Sequence, residues 1–447
     1  MIIIAFVVVL IQVLDLSAGD TWVSQLGSRI SSEQSIAYTI IITISLIIQA
    51  LILTLTTRLV FRIKKPASIA ALIVAYIYAI AQVAIIVLLC YLLGEHLITF
   101  GYHTLVTKLI VGITLMISAL TLISIAFACL KSYLLSKSKM ALVYSLAMIA
   151  LSVQLTSAFF YVETRLDNVP EHITPYRNPW TSYFYTSLSA QLFSIYDTAR
   201  VVSFISIWIA SVLLTKSFTR KSNKVRYWAT VSVPVIYFLF QYTPILLNQT
   251  GTFSFLVMAK GSIFPYLYSF VLNTANVGSG ILFGISFFIL SRHLAYERMK
   301  YYLTICGTGI MIIVSSNVSQ ILVLATFPAW AIVSVSFILP ASILTLIGLD
   351  SATFYVASDM ALRRSLNKLK SQFGLFTSLG ATKSLADMER KINQIGREIY
   401  DKIDTETLFA SKPEAEDIRK YVSEVIAEMK EIDKKPDSTK SSSFEDN

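Results

Sequence analysis

The chain has 447 residues, of which 55% are hydrophobic, and its mean hydropathy is +0.66. Soluble domains contain about 45–50% apolar residues, so this composition excludes a water-soluble globular protein and indicates a membrane protein. The net charge of +10 would suit a nucleic-acid partner if the basic residues formed a common binding surface. Their positions along the chain therefore have to be considered.

The first twenty residues contain an apolar stretch that is short for a membrane span. Ser17 and Gly19 are small residues suited to a cleavage site, although the usual basic amino-terminal residues are missing. We predict a cleaved signal peptide over residues 1–19, and the alternative is a tenth span.

Nine later stretches have the length and apolar character of helices that cross a hydrocarbon core about 30 Å thick, or come close to it. The sequence therefore predicts an all-α fold, a polytopic transmembrane helix bundle of about nine spans within residues 20–352. The spans lie near 36–57, 68–94, 106–130, 140–162, 200–217, 228–247, 264–291, 302–325 and 329–352.

Basic residues alternate between the predicted loops. The loops after spans one, three, five and seven contain fifteen Lys and Arg residues and a single acid, Glu297, whereas the alternate loops contain six Lys and Arg. The positive-inside rule then places the first set of loops and the C-terminus in the cytoplasm, and the mature N-terminus outside. Anionic membrane lipids account for this charge, so we predict no nucleic-acid partner.

The sequence carries no signature of a common enzyme class. It lacks the P-loop, H-E-x-x-H, C-x-x-C and G-x-S-x-G patterns, and its three cysteines fall inside predicted spans. No ionisable residue falls in the middle of a predicted span, which lowers the expectation of a proton-coupled carrier. We therefore predict a protein that is not an enzyme.

Small and polar residues line one face of span seven and cluster on span eight. Gly280 and Gly284 form a G-x-x-x-G pair, and Gly307 and Gly309 lie on span eight, a pattern typical of close helix packing. The alternative is a hydrated path for a neutral solute along this polar seam, lined by Asn273, Asn276, Ser316, Asn317 and Gln320.

Three of the four histidines fall in predicted outer loops that also carry most of the acidic loop residues. Imidazole and carboxylate ligands together suit zinc or copper(II), although no established ligand spacing is present. The candidate metal ligands are Glu95, His96, His103, Glu163, Asp167, Glu171 and His172, and the alternative is that all are solvated loop residues. Pro170, Pro175 and Pro179 exclude a long helix from the longer of these loops, and residues 180–200 then indicate an aromatic-rich interfacial helix that leads into span five.

After the last span the composition changes from apolar to charged. Pro340 should kink span nine, and the helix should continue through a juxtamembrane segment, 353–370, into a cytoplasmic helical hairpin, 371–434, before a disordered tail, 435–447. The hairpin has coiled-coil-like apolar stripes that need a cytoplasmic protein partner, a second copy of the chain or each other. These stripes are Leu385, Met388, Ile392, Ile395 and Ile399, and then Ile418, Val422, Val425, Met429 and Ile432.

The boundary reads "GLDSATFYVASDMALRRSL" and is followed by "FTSLG". It resembles uncharacterised multispanning membrane proteins of ammonia-oxidising archaea, in which a Gly and a Ser-Ala pair close the last span and an acidic residue and a Leu-Arg step open a cytoplasmic helix. The matching residues are Gly348, Ser351, Ala352, Asp359, Leu362 and Arg363. The resemblance covers only this boundary and implies no particular activity.

Two functions follow from these patterns. The first is a sensor-like protein or complex subunit that couples its membrane bundle to a cytoplasmic partner through the C-terminal helices. The second is a transporter or channel for a neutral or small solute along the polar seam of spans seven and eight.

Overall fold

The structure, a computed structural model, divides the chain into two compact units, Met1–Leu379 and Gly380–Asn447. Only residues 380–384 of the second unit are described. The described residues are 2–25, 32–62, 69–99, 101–167, 171–173, 187–216, 224–239, 280–292, 296–316, 329, 331–358, 375 and 378–384.

Eleven helices and one pair of two-residue strands make up the labelled elements of the described chain. The strands β1 (Tyr102–His103) and β2 (His172–Ile173) pair antiparallel. The helices are α1 (Ile2–Gln25), α2 (Ser32–Arg62), α3 (Ile69–Thr99), α4 (Thr104–Ser136), α5 (Lys139–Leu166), α6 (Ser187–Lys216), α7 (Lys224–Leu239), α8 (Gly280–Arg292), α9 (Glu297–Ser315), α10 (Ile332–Ser336) and α11 (Ile338–Ser358).

The predicted all-α bundle is confirmed, and its helices have the dimensions of membrane spans. Among the described residues six helical segments are long and apolar enough to cross a bilayer. Their outward faces are apolar: on α2 the side chains of Ile36, Ile40, Ile44 and Ile47 are all exposed, at helical spacing. Such stripes would be costly in water and suit lipid, so the chain is a multi-pass membrane protein.

The helices pack through small hydroxyl side chains as well as apolar ones. The Ser145 and Ser152 hydroxyls of α5 each donate to a backbone carbonyl of α4, at Ala126 and Ala119, over 3.0 Å. Trp208 of α6 donates its indole N–H to the Val231 carbonyl of α7 over 2.9 Å. These bonds give backbone carbonyls a second partner between helices, as expected where water is absent.

Helix α11 is the most enclosed of the candidate spans. In an apolar 18-residue stretch of the segment Ile332–Ala357 89% of the residues are buried, compared with 28% in the corresponding stretch of Ile36–Arg58. Helix α11 packs along α9 and also meets α4, so it lies inside the bundle while α2 lies at its edge.

Glycines allow the close approach of α8, α9 and α11. A Cβ atom added at Gly284 would lie 2.7 Å from the Met311 Cβ, and one added at Gly307 would lie 2.7 Å from the Phe287 Cβ. A Cβ at Gly309 would lie 2.5 Å from the Ala341 carbonyl oxygen. The packing interpretation of these glycines is confirmed.

The interfacial helix predicted over residues 180–200 leads into span five as expected, within the residues that the structure describes. The interfacial helix and span five form one helix, α6, from Ser187 onward, and its apolar segment Leu188–Leu214 contains both Asp197 and Arg200. Their side chains are 2.5 Å apart at i,i+3 spacing, so each charge has a counter-charge on the same helix. Arg200 is the first residue of the predicted span 200–217 and Asp197 precedes it, and the absence of ionisable residues from the middle of the spans stays a prediction.

A turn at Phe337 separates α10 from α11, and Pro340 is the third residue of α11. Proline removes the hydrogen bond to the carbonyl four residues earlier, here that of Ser336, so this break lies where the kink expected from Pro340 would act. A proline is tolerated in the first turn because its missing N–H has no intrahelical partner there.

Candidate functional site

The short helix α10 lies between two breaks, and the first break is strained. Ala331 has φ 68°, in the left-handed region that alanine rarely adopts. Residues held there cost about 1–3 kcal/mol and persist only where their surroundings fix them. The contacts that surround α10 therefore identify the candidate site.

Asp15 of α1 holds the amino end of α10. Its carboxylate accepts the Ala331 N–H over 3.2 Å, the Ser334 N–H over 3.2 Å and the Ser334 hydroxyl over 2.7 Å. The side chain is fully buried. A side chain more than 300 positions away thus caps α10, although the residue next to the helix, Ala331, offers no capping group.

The buried face of α1 brings a second polar group to the same place. Gln12 lies three residues before Asp15, so both are on one face, and Ala5 and Val8 continue that face. The Gln12 amide donates to the Ser316 hydroxyl, at the carboxyl end of α9, over 2.6 Å. Helix α1 is therefore pinned to α9 and α10 by hydrogen bonds as well as by apolar packing.

A glutamine relay reaches α10 from the opposite side. Gln82 of α3 donates to the Gln49 carbonyl oxygen of α2 over 3.1 Å, and Gln49 donates to the Ser336 hydroxyl over 2.6 Å. Gln49 also lies 3.4 Å from the Ser45 hydroxyl. All of these side chains are buried.

Together these groups form one polar cluster inside an otherwise apolar bundle. We use the name α10 cluster for Gln12, Asp15, Gln49, Gln82, Ser316, Ser334 and Ser336. It joins helices α1, α2, α3 and α9 to the interrupted segment. Buried polar groups without water cost several kcal/mol each if left unpaired, so a cluster of this size in a membrane bundle indicates a functional site.

The polar seam predicted on spans seven and eight is described only in part. Ser316 contacts Gln12 of α1, whereas Asn273, Asn276, Asn317 and Gln320 lie outside the described residues. Where α8 and α9 are both described, the glycines leave no room even for a methyl group.

The structure brings part of the predicted metal-ligand set together around the β1–β2 pair. Glu95 accepts the His103 N–H over 3.2 Å and its carboxylate lies 3.3 Å from the His103 ring nitrogen Nε2. His103 and His172 are partners across the two strands, and the Glu171 carbonyl accepts the Thr104 N–H over 2.9 Å. These contacts close the α3–α4 turn against the chain at 171–173.

The remaining members of that set lie elsewhere. The ring of His96 is 5.0 Å from that of Tyr38 in an edge-on contact, and Asp167 is paired with Lys108. Glu163 lies on α5. Among the side chains that the structure describes, no three His, Cys, Asp or Glu residues converge as metal ligands. The metal site remains a prediction.

The predicted partner-binding stripes lie outside the described residues. This applies to Leu385, Met388, Ile392, Ile395, Ile399, Ile418, Val422, Val425, Met429 and Ile432.

Sequence reasoning missed Gln12 and Asp15 because it assigned the apolar amino-terminal stretch to a signal peptide. The available signal was the pair of polar residues at i,i+3 spacing within "VVVLIQVLDL". Cleavage at residue 19 remains a prediction, and it would remove both side chains from the α10 cluster.

Comparison of the chain with protein-family models, with curated proteins and with solved structures finds no match. The resemblance at the end of the last span stays a prediction, and the function is proposed from the α10 cluster itself.

Proposed function

We propose that this multi-pass membrane protein binds a small polar solute inside its bundle and moves it across the membrane, as a transporter or channel. The observation that carries the proposal is the interrupted segment 331–337 with the buried Asp15 carboxylate at its amino end. Broken helices with exposed backbone groups and polar side chains at depth are a recurrent way to build solute sites in membrane proteins.

The path is assigned to the α10 cluster, which contains Ser316, the described residue of the polar seam. Between the described parts of α8 and α9, Gly280 and Gly284 pack too closely on α9 for a solute to pass, whereas the α10 cluster supplies amide and hydroxyl groups from several helices. Because the cluster contains amide oxygens that can accept hydrogen bonds, it suits a small neutral solute that donates them.

The test is solute flux into proteoliposomes that contain the purified full-length chain, with glycerol and urea as probes and light scattering as the readout. We expect flux above that of protein-free liposomes, and a loss of it in Gln49→Leu, which cuts the relay between Gln82 and Ser336. The control is Gln154→Leu on α5, whose amide meets Ser203 of α6 and lies outside the cluster. Flux equal to that of empty liposomes for both probes would reject the proposal.

A second candidate is a non-enzymatic sensor or complex subunit that couples the bundle to a cytoplasmic protein partner or a second copy. It is favoured by α11, which continues without a break to Ser358, beyond the predicted end of span nine at residue 352. An uninterrupted helix transmits displacement. Deletion after Lys370, and Ile392→Asp with Ile395→Asp, should abolish co-purification of a partner if this function is correct, and unchanged associated proteins would reject it.

The orientation follows the positive-inside rule, with the C-terminus in the cytoplasm, lipids as the surrounding partner and no nucleic acid bound. A cysteine at position 223 should react with a membrane-impermeant thiol reagent only from the cytoplasmic side, and one at position 168 only from outside. The reverse pattern would reject the orientation.

A further inference from the structure

The hydrogen-bond directions in the α10 cluster are fixed by the hydroxyl groups. Ser316 donates its single proton to the Ile312 carbonyl over 2.6 Å, and Ser336 donates to the Val333 carbonyl over 2.6 Å. A hydroxyl has one proton, so both serines must accept from their glutamine neighbours. The nitrogens of Gln12 and Gln49 therefore point at the serines, and their oxygens point away.

This orientation leaves an excess of acceptors in the cluster. The Gln49 oxygen receives the Gln82 amide, but the side-chain oxygens of Gln12 and Gln82 are buried and have no donor among the described residues. Asp15 adds a carboxylate, and none of the ion pairs between described residues involves it. The cluster thus has one carboxyl group, two side-chain oxygens without a donor among the described residues, and no cationic side chain.

The Asp15 carboxylate already accepts three hydrogen bonds. The donors are the backbone N–H groups of Ala331 and Ser334 and the Ser334 hydroxyl. Burial disfavours the charged form of a carboxylate, and hydrogen bonds to it oppose that effect. A buried carboxylate charge is costly without a counter-charge, and no ion pair between the described residues supplies one to Asp15.

We infer that Asp15, with the free oxygen of Gln12 and the hydroxyl oxygen of Ser334, binds one monovalent metal cation of the sodium class. Gln12 and Asp15 share one face of α1, and Ser334 keeps lone pairs after it donates its proton to Asp15. All three ligands are hard oxygens. A divalent ion is disfavoured because calcium and magnesium sites draw on more than one carboxylate or on retained waters.

The inference deepens the proposed function, since a bound cation beside the solute path would couple the two. Its test is separate from flux. The full-length protein in detergent is unfolded by heat in increasing NaCl, and in parallel in N-methyl-D-glucamine chloride at equal ionic strength, at several pH values. We expect a saturable rise in Tm with NaCl alone, because a ligand that binds only the folded state stabilises it.

Asp15→Asn should abolish the saturable rise, and Gln12→Leu should weaken it if Asp15→Asn does not fold. Asp197→Asn is the matched control, because Asp197 is ion-paired with Arg200 on α6 and should leave the response unchanged. A Tm that depends on pH and not on sodium would show that the carboxylate takes a proton only, and would overturn the inference. Retention of the response in both α1 variants would overturn it too. Solute flux without a sodium response would leave the proposed function standing and reject the cation site.

Discussion

Glycine substitutions in two helices should have opposite effects on stability, although both replace a helical Gly with Ala. The first, Gly309→Ala, lies where α9 meets α11. The added Cβ would sit 2.5 Å from the Ala341 carbonyl oxygen and 2.7 Å from the Thr345 nitrogen, whereas ordinary contact begins at 3.4 Å. Both neighbours are backbone atoms, so no side-chain rotation relieves the clash.

The size of the effect follows from that geometry. The two helices must separate locally by about 0.9 Å, the difference between 3.4 and 2.5 Å. A gap of that size forfeits roughly a quarter to a half of the contact energy of the atoms around it. Overpacking costs about 1–3 kcal/mol, and the gain in helix propensity returns about 0.5–1 kcal/mol. Net destabilisation should therefore reach up to about 2.5 kcal/mol.

Gly94→Ala is the matched control, because nothing lies within 4 Å of a Cβ added at Gly94 in α3. This variant should gain about 0.5–1 kcal/mol from the lower backbone entropy of the unfolded chain. Thermal unfolding of the purified proteins in one detergent, followed by circular dichroism, should give a lower Tm for Gly309→Ala and an equal or higher Tm for Gly94→Ala. If Gly309→Ala unfolds at or above the wild-type Tm, the described contact between α9 and α11 is incorrect.

Three further predictions concern the polar contacts. Glu95→Ala should lower the Tm more than Glu95→Gln, since the glutamine oxygen still accepts the backbone N–H of His103, whereas alanine leaves it without that acceptor; equal losses would contradict this. Gln49→Leu should lower the stability more than Gln82→Leu. The first variant leaves both the nitrogen and the oxygen of the Gln82 amide without a partner, whereas the second removes the unpaired Gln82 oxygen and leaves only the Gln49 oxygen without a donor. The reverse order in thermal unfolding would contradict the relay. The intact mass of the purified protein should include residues 2–15, which the α10 cluster requires, and a mass that corresponds to cleavage near residue 19 would remove the basis of the cation site.

Hydropathy was sufficient to predict the fold class and the approximate position of many helices. The span predicted at 106–130 lies within α4, Thr104–Ser136, and the span predicted at 140–162 lies within α5, Lys139–Leu166. The helices exceed the predicted spans because they continue into the polar flanks, where hydropathy falls but helical hydrogen bonding does not. Glycine spacing also predicted the contact of α8 with α9, since close approach requires small residues at helical intervals.

The α10 cluster could not be predicted in the same way. Asp15 and Ser334 are 319 positions apart, and Gln12 and Ser316 are 304 apart, so no local pattern records their contacts. The break occurs at an alanine, not at a glycine or a proline that would mark it in the sequence. The distant Asp15 carboxylate stabilises it by accepting the Ala331 N–H.

The two candidate functions meet in one structural element. Asp15 binds backbone amides at the amino end of α10, so a change in the charge beside it alters the bonds that hold Ala331 in its strained conformation. Residues 332–336 lead through Phe337 directly into α11, which is enclosed by the bundle and continues to Ser358. A displacement of α10 would therefore pass into a rigid helix rather than into a flexible loop, because the well-packed surroundings of α11 favour discrete positions over gradual deformation. If a cation binds at Asp15, its binding would then shift α10 and, through it, α11, so the cation site and the sensor-like function would depend on the same segment.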